Sequence, residues 1–447
     1  MAAEDAGMQS NYRDVLSEAL DASAADETEA LIMSSEAALT RFTDNAVHEN
    51  VLEKNVHLSV RVVIGKRVGV ASTNRIDRQG IADVVERAAR IARVSPADDN
   101  FPGLPSGGGD VGALPDAWDA ATAAARPQER VEAVAAVGAV MRAHGLSAAG
   151  YVATRSGDIG VANTKGIRRF FRSTDAAINI KAIGSDSSGY AEGFSRRFGD
   201  LDPTRLAQAS AKKAVDGRKP ADLEPGAYTV ILEPPAFREF LAYLSWVGFG
   251  AQPFEQGSSF MSGRIGQPIM GDNITLRDDF SAPLGDGIPF DFEGVPRRCV
   301  GLVENGIAKD VVYDSYYAAK LHHPNTGHAL PAPNGDGPFP LNIVVEPGAS
   351  SLDELMADIR RGVLVSRTWY IRLVDQKQTL ITGMTRDGFF LIENGLISKP
   401  LKNMRFNESI VGALSRCRLA DTLVRSENHV LPAARIDGFH FTSGTSF

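Results

Sequence analysis

The stretch PPAFREFLAYLSWVGFG, residues 234–250, sets Arg238 and Glu239 side by side at the first turn of an apolar helix, with Tyr243 one turn further on. A helix-borne carboxylate can serve as a general base, a guanidinium can clamp a carboxylate through its planar fork, and a phenol can donate a hydrogen bond. Phe237, Phe240, Leu241 and Leu244 share one stripe, which predicts a buried face. A plainer reading competes: the charged pair is solvated, with Glu239 favoured by the helix dipole. On residue types alone the plainer reading is the stronger.

LHHPNTGH brings His322, His323 and His328 close in sequence. Neighbouring imidazoles can share a metal, but a Pro-Asn-Thr-Gly turn does not orient them like a helical pair, so a polar exposed loop is expected. Cys299 and Cys417 are too few and too far apart for a disulfide framework or a thiolate metal site, and read as small core residues. GKR at 65–67 does not continue a phosphate-binding loop, no G-x-S-x-G occurs, and SGGGDVG at 106–112 reads as linker.

The elements around these residues are legible in part. Val56, Leu58, Val60, Val62 and Ile64 alternate with polar neighbours, a half-buried strand turning at Gly65-Lys66. Ile81, Val84, Val85, Ala88 and Ile91 form a helical stripe. Residues 95–118 concentrate Pro, Gly and Asp, and place a boundary near residue 110. A helix, two strands and the helix TRLAQASAKKAVDG make a central unit, 111–224, and a third unit, 225–447, is dominated by short apolar runs. VENGI and IENGL predict two Asn-Gly hairpins, and Ser351 with Glu354 predicts a capping box.

The chain of 447 residues is long enough for two or three domains, with 43% hydrophobic and 23% charged residues. A formal charge of −8 without basic runs argues against nucleic acid as a partner. No apolar run approaches a membrane span and no secretory leader is evident, so a cytoplasmic protein without a membrane partner is expected.

Four segments together resemble one family. ALTRFTDNAVHENVLEKNVHLSVRVVIGKRVGVASTNRID, LEPGAYTVILEPPAF, SSFMSGRIGQPI and LIENGLISKPLKNMRFNESI are similar to the TldD/PmbA metallopeptidases, in order, over residues 30 to 447. The resemblance implies an α+β fold: an N-terminal α/β piece (1–110), a central α/β piece (111–224) and a C-terminal antiparallel β-rich domain (225–447). In catalytic members of the TldD type, the helix after the P-G-x-Y strand carries H-E-x-x-x-H, whose histidines bind metal while the glutamate acts as base. A thiolate near the C-terminus completes that site.

The corresponding residues here are Arg238-Glu239-Phe240-Leu241-Ala242-Tyr243, and LVRSENHVLPAARIDGFHF has no cysteine. A guanidinium offers a metal no lone pair, and a neutral phenol is a poor zinc ligand. The resemblance therefore implies a PmbA/TldE-like subunit with no cofactor of its own. Zinc is expected in a TldD-type partner, in a heterodimer that encloses an extended peptide. Arg264, in SGRIG, is expected at a turn or a subunit or substrate contact, and His322, His323 and His328 are the other candidate contacts. The alternatives are a homodimeric peptide-binding or regulatory protein and a hydrolase with a metal relocated to the three histidines.

Overall fold

The computed structural model describes residues 2–107, 111, 117–285 and 287–444. Position 110 and most of SGGGDVG lie outside the described residues. The first half of the chain is one antiparallel sheet of β1 (Glu27–Thr43), β2 (Ala46–Ile64), β3 (Arg67–Thr73), β4 (Ser147–Asn163), β5 (Arg168–Ile183) and β6 (Ser188–Ser195), in the order β3-β2-β1-β4-β5-β6. The pairing of β1 with β4, from Glu29 opposite Asn163 to Phe42 opposite Gly150, joins the expected N-terminal and central pieces into one sheet. The helices are α1 (Ala2–Asp21), α2 (Arg78–Val94), α3 (Ala120–Ala123), α4 (Pro127–Ala143) and α5 (Pro203–Asp216).

Strand alternation gives this sheet two different faces. Ala30, Ile32, Leu58, Val60 and Val62 pack against α1 and α2, while Val152, Ile178, Ile180 and Ala182 pack against α4 and α5. Their sequence neighbours Glu29, Leu31, Arg61, Val161 and Lys181 point the other way, toward the C-terminal half, which they meet at Glu293, Phe290 and Asp387. The helical stripe of α2 is buried at Ile81, Val84, Val85 and Ala88, but Ala92 continues it and Ile91 is exposed.

The two halves of the sheet repeat one plan, a helix, a three-strand meander and a closing helix. Each closing helix touches the backbone of its last strand through a glycine. A Cβ on Gly69 would lie 2.2 Å from the Ala88 carbonyl oxygen and 2.3 Å from the Ala92 nitrogen. On Gly189 it would lie 2.1 Å from the Ser210 carbonyl oxygen and 2.7 Å from the Ala214 nitrogen. Both contacts use small helix residues four apart, which let the helix approach the strand.

The C-terminal half contains a closed barrel of Arg361–Asp375, Gly226–Leu232, Ala434–Gly444, Met404–Ser409 and Leu380–Glu393, closed by pairing of the last strand with the first. It is mostly antiparallel, with Arg361–Asp375 and Gly226–Leu232 running parallel. Helix α6 (Pro234–Gly248) buries Phe237, Phe240, Leu241 and Leu244 completely. Phe240 meets the barrel residues Phe406 and Phe439 at centroid distances of 6.2 and 6.1 Å. A second sheet of short strands ends in Val424–Ser426 and His429–Leu431. Both Asn-Gly hairpins form, with φ of 48° and 75° at Asn305 and Gly306 and 52° and 80° at Asn394 and Gly395. The capping box closes between Ser351 and Glu354. Cys417 is buried as expected, whereas Cys299 is exposed, since it immediately precedes rather than occupies the inward-facing run at Val300. Among the described residues no helix is long and apolar enough to cross a membrane.

Burial at the contact between the sheet and the C-terminal half perturbs several carboxyl groups. Arg61 donates to Glu29 at 2.7 Å and Glu293 at 2.9 Å, yet burial pushes Glu29 up to about 7 from 4.5, because one guanidinium serves two carboxylates. Asp291 is raised to about 8, by burial first and then by Glu293.

Two predictions follow from this packing. Gly69→Ala and Gly189→Ala each lower stability in urea denaturation by about 1–3 kcal/mol, since in both places a methyl meets helix backbone. Glu29 holds a proton in the folded chain that the unfolded chain releases above its ordinary value, so its contribution is complete below 4.5 and is lost as pH rises through about 7. The thermal midpoint therefore falls from about pH 5 to about pH 8, and Glu29→Gln flattens that slope.

Candidate functional site

Three parts of the chain converge on the first turn of α6. The helix begins at Pro234 directly after the barrel strand Gly226–Leu232, and prolines at its first positions suit a turn whose N–H groups have no helical partner. Arg238 Nη2 donates to Glu239 Oε1 at 2.6 Å, and Arg238 Nη1 pairs with Glu427, which lies between the strands Val424–Ser426 and His429–Leu431 with φ of 50°. The guanidinium thus lies between two carboxylates. The Arg238 side chain is 16% exposed, so the expectation of a solvated pair gives way to a half-buried one.

Charge around the pair is arranged by burial. Glu239 is raised above the usual carboxylate range by burial, against the pull of Arg238. His429 falls to about 4, by burial and then by the Arg238 charge, so its imidazole is neutral beside a permanent cation. Its Nδ1 is 2.9 Å from Asn428 Oδ1.

The sheet supplies the opposite wall from its polar face. Tyr190 donates to Glu192 Oε2 at 2.5 Å and accepts from Asn179 Nδ2 at 2.6 Å, and Ser426 donates to the other Glu192 oxygen. Burial, then Glu192, pushes the Tyr190 phenol far up, so it stays protonated and a donor. Arg425 reaches back to Asp175. Arg367 stacks 4.5 Å over the Tyr190 ring and donates to Asp387 at 3.2 Å. Asp387 also accepts from Ser188 at 2.8 Å and Lys181 at 3.1 Å, with φ of 53° and Gly388 beside it at 132°.

Tyr243 does not point a free hydroxyl at this wall. It donates to the Ile371 carbonyl at 2.9 Å and tethers α6 to a barrel strand. Between them lies a cleft of about 380 Å³, lined by Glu239, Arg367, Trp369, Tyr370 and Arg372. Trp246 meets the Tyr243 ring at 6.0 Å, and Trp246, Trp369 and Tyr370 are each more than two-fifths exposed.

The other candidates stand apart from one another. Arg264 donates to the Pro268 carbonyl at 3.2 Å and closes a turn. His322 is exposed, while His323 stacks on Tyr313 at 3.9 Å with Nε2 3.3 Å from Asp310. His328 is not in an exposed loop: it is fully buried, with Nε2 3.0 Å from Asp278 and Nδ1 2.9 Å from Thr326 Oγ1. Burial opposes ionisation of Asp278, but His328 and the Asn342 amide outweigh it and the carboxyl is held low. The three histidines therefore have separate partners.

The chain's relatives can now be set beside this geometry. Residues 225–443 match the PmbA/TldA metallopeptidase C-terminal domain, 28–92 match domain 1 and 117–218 the central domain. The chain belongs to the PmbA/TldD family. A metalloprotease PmbA homolog of Haemophilus influenzae is 26% identical over 394 residues, 82% of this chain and 83% of that one. A metalloprotease of Methanothermobacter thermautotrophicus is 27% identical over 270 residues, 56% of this chain and 57% of its own length. The matched stretch thus spans little more than half of that relative. The fold is shared with the crystal structure of TldE from Thermococcus kodakarensis, at TM-score 0.87 and 19% identity, covering 97% of this chain and all of that one.

Within a PmbA/TldD fold, the site residues that the sequence did not offer are Glu427, Glu192, Tyr190, Arg367 and Asp387. Only Asp387-Gly388 left a trace, as a turn-type dipeptide inside a strand-like run. Arg238→Met should lower stability by about 2 kcal/mol in urea denaturation, mostly by stranding Glu239, because the more exposed Glu427 is screened. Adding Glu239→Gln should recover part of that loss, and a double variant no better than the single one would contradict the pairing.

Proposed function

We propose that this chain is the metal-free, non-catalytic subunit of a TldD/TldE-type heterodimeric metallopeptidase. Its role is to help enclose an extended peptide or peptide-like substrate that is hydrolysed at a zinc site in the partner. The observation that carries this reading is Arg238. By resemblance it stands at a metal-ligand position, and its guanidinium lies between Glu239 and Glu427. A zinc ion does not fit this donor set: the cation already there would repel it, and Tyr243 has its phenol engaged with the Ile371 carbonyl.

The site keeps features of use to a binding subunit. Glu239, Arg367 and Arg372 offer both signs of charge along the cleft, and Trp246, Trp369 and Tyr370 offer exposed aromatic surface beside it. Exposed aromatic surface at a cleft is the composition of a contact region rather than of ordinary protein surface. The relatives include a PmbA homolog and TldD homologs alike, so the assignment to the TldE-like branch rests on Arg238 rather than on their names. On this reading the subunit stays in the cytoplasm, the compartment expected from the sequence.

The test is co-expression with a TldD-type protein of the same organism, with an affinity tag on this chain alone. The expected product is a one-to-one complex whose zinc and peptidase activity disappear when the partner's motif histidines are replaced by alanine. Stoichiometric zinc and hydrolysis by this chain in isolation would overturn the proposal. A stable homodimer that binds peptide and captures no TldD-type subunit would replace it with the regulatory reading.

A further inference from the structure

A second cavity, of about 600 Å³, lies between the outer end of the sheet and the C-terminal half, away from α6. Its volume is that of a small-molecule site. Arg61 of β2 and Phe101 form part of one wall, and Glu293, Asp314, Tyr316 and Tyr317 form much of the other. Asp98 stands at the side of the cavity, hydrogen bonded to the Tyr316 hydroxyl.

Charge in this cavity does not balance. Arg61 is shared by Glu29 and Glu293 and has no ion pair with Asp314. Asp314 is 8% exposed, and its side chain accepts from the Tyr317 backbone N–H at 2.8 Å, at the start of the short helix Ser315–Lys320. No Lys, Arg or His forms an ion pair with it among the described residues. Burial raises this carboxyl to about 6, with Glu293 adding to the rise and the Tyr317 N–H and the Arg61 charge opposing it. Lys320 is 5.7 Å from the Tyr317 ring, but its ammonium pairs with Glu255 at 3.0 Å. The cavity therefore joins a buried carboxylate that has no direct ion pair among the described residues, and feels Arg61 only without contact, to the rings of Phe101, Tyr316 and Tyr317. Tyr316 and Tyr317 stand edge to face at 5.2 Å.

A carboxylate among aromatic rings is the environment that holds an organic cation, by one charge-assisted hydrogen bond and by attraction to ring faces. We propose that this cavity binds a primary ammonium or guanidinium group, with Asp314 as its counter-ion, Asp98 as a second acceptor and the rings as its walls. The group is carried either by a free small amine or by the basic side chain of a peptide. The site is separate from the α6 cleft, and the inference stands whether or not the chain pairs with a TldD-type partner.

Isothermal titration calorimetry on the intact chain tests it. The probes are agmatine and putrescine as free amines, a capped Ala-Lys-Ala tripeptide as a chain-borne amine, and capped Ala-Gln-Ala as the neutral control. At least one cationic probe should bind saturably at one site, and the neutral tripeptide should not. Asp314→Asn keeps the helix cap, since Asn caps as well as Asp, and should weaken that binding tenfold or more. Asp98→Asn, which leaves the helix untouched, should weaken it too. Binding of the free amines alone assigns the site to a small amine, and binding of the tripeptide alone assigns it to a peptide side chain. Absence of saturable binding by all three cationic probes, or binding unchanged in both variants, would overturn the proposal.

Discussion

The fold depends on the two-residue period of a six-stranded sheet whose strands run from 7 to 19 residues. Because successive side chains alternate between faces, one sheet can be apolar where α1, α2, α4 and α5 cover it and rich in charged and polar groups, beside the Leu31–Val161–Phe290 cluster, where it meets the C-terminal half. Glu29, Arg61, Asp175, Lys181, Tyr190 and Glu192 all belong to that second face. A one-residue slip in register would send these groups under the helices and the valines and isoleucines into the polar contact, so register here is strongly specified. The position of α6 against the sheet follows from the same alternation, through the Glu192–Ser426 and Asp175–Arg425 contacts that hold the Glu427 turn near Arg238.

The barrel solves a different problem. It must present the first turn of α6 to the sheet while burying one face of the helix, and it does so with phenylalanines on inward-facing strands. Deep apolar burial at Phe237 and Phe240 fixes the rotation of α6, and that rotation puts the intervening Arg238 and Glu239 at the rim. Rigid packing thus orients a charged pair that would otherwise explore many rotamers.

Much of this was legible in the sequence wherever the information is local. The β2 alternation, both Asn-Gly turns, the Ser351 capping box and the apolar face of α6 each rest on neighbouring residues and hold in the structure. The family and its α+β fold were legible through segments spread over most of the chain. The site was legible only at Arg238 and Glu239. Glu427 reaches it from a turn about 190 residues away along the chain and Glu192 from a strand about 45 residues away, and no period or motif ties a lone glutamate to such a distance. His328 was misread as exposed because a Pro-Asn-Thr-Gly run looks like surface, whereas Asp278 draws the imidazole inward. Tyr243 read as a free hydrogen-bond donor because a sequence does not show that a backbone carbonyl already accepts from its hydroxyl.

The repeated plan of the sheet bears on how such a chain can change. Each half keeps its own apolar cluster under its own pair of helices, and each closing helix docks through its own glycine. The stretch joining them carries neither dock. Its described part is nonetheless anchored: Phe101 and Leu104 are buried, the Leu104 N–H donates to Glu27 and the Asn163 amide donates to the Pro105 carbonyl, so extra residues among these anchors would disturb packing as well as add loop entropy. The seam between β1 and β4, the two glycine docks and this anchored stretch are therefore the places where a change in length would be felt across both halves.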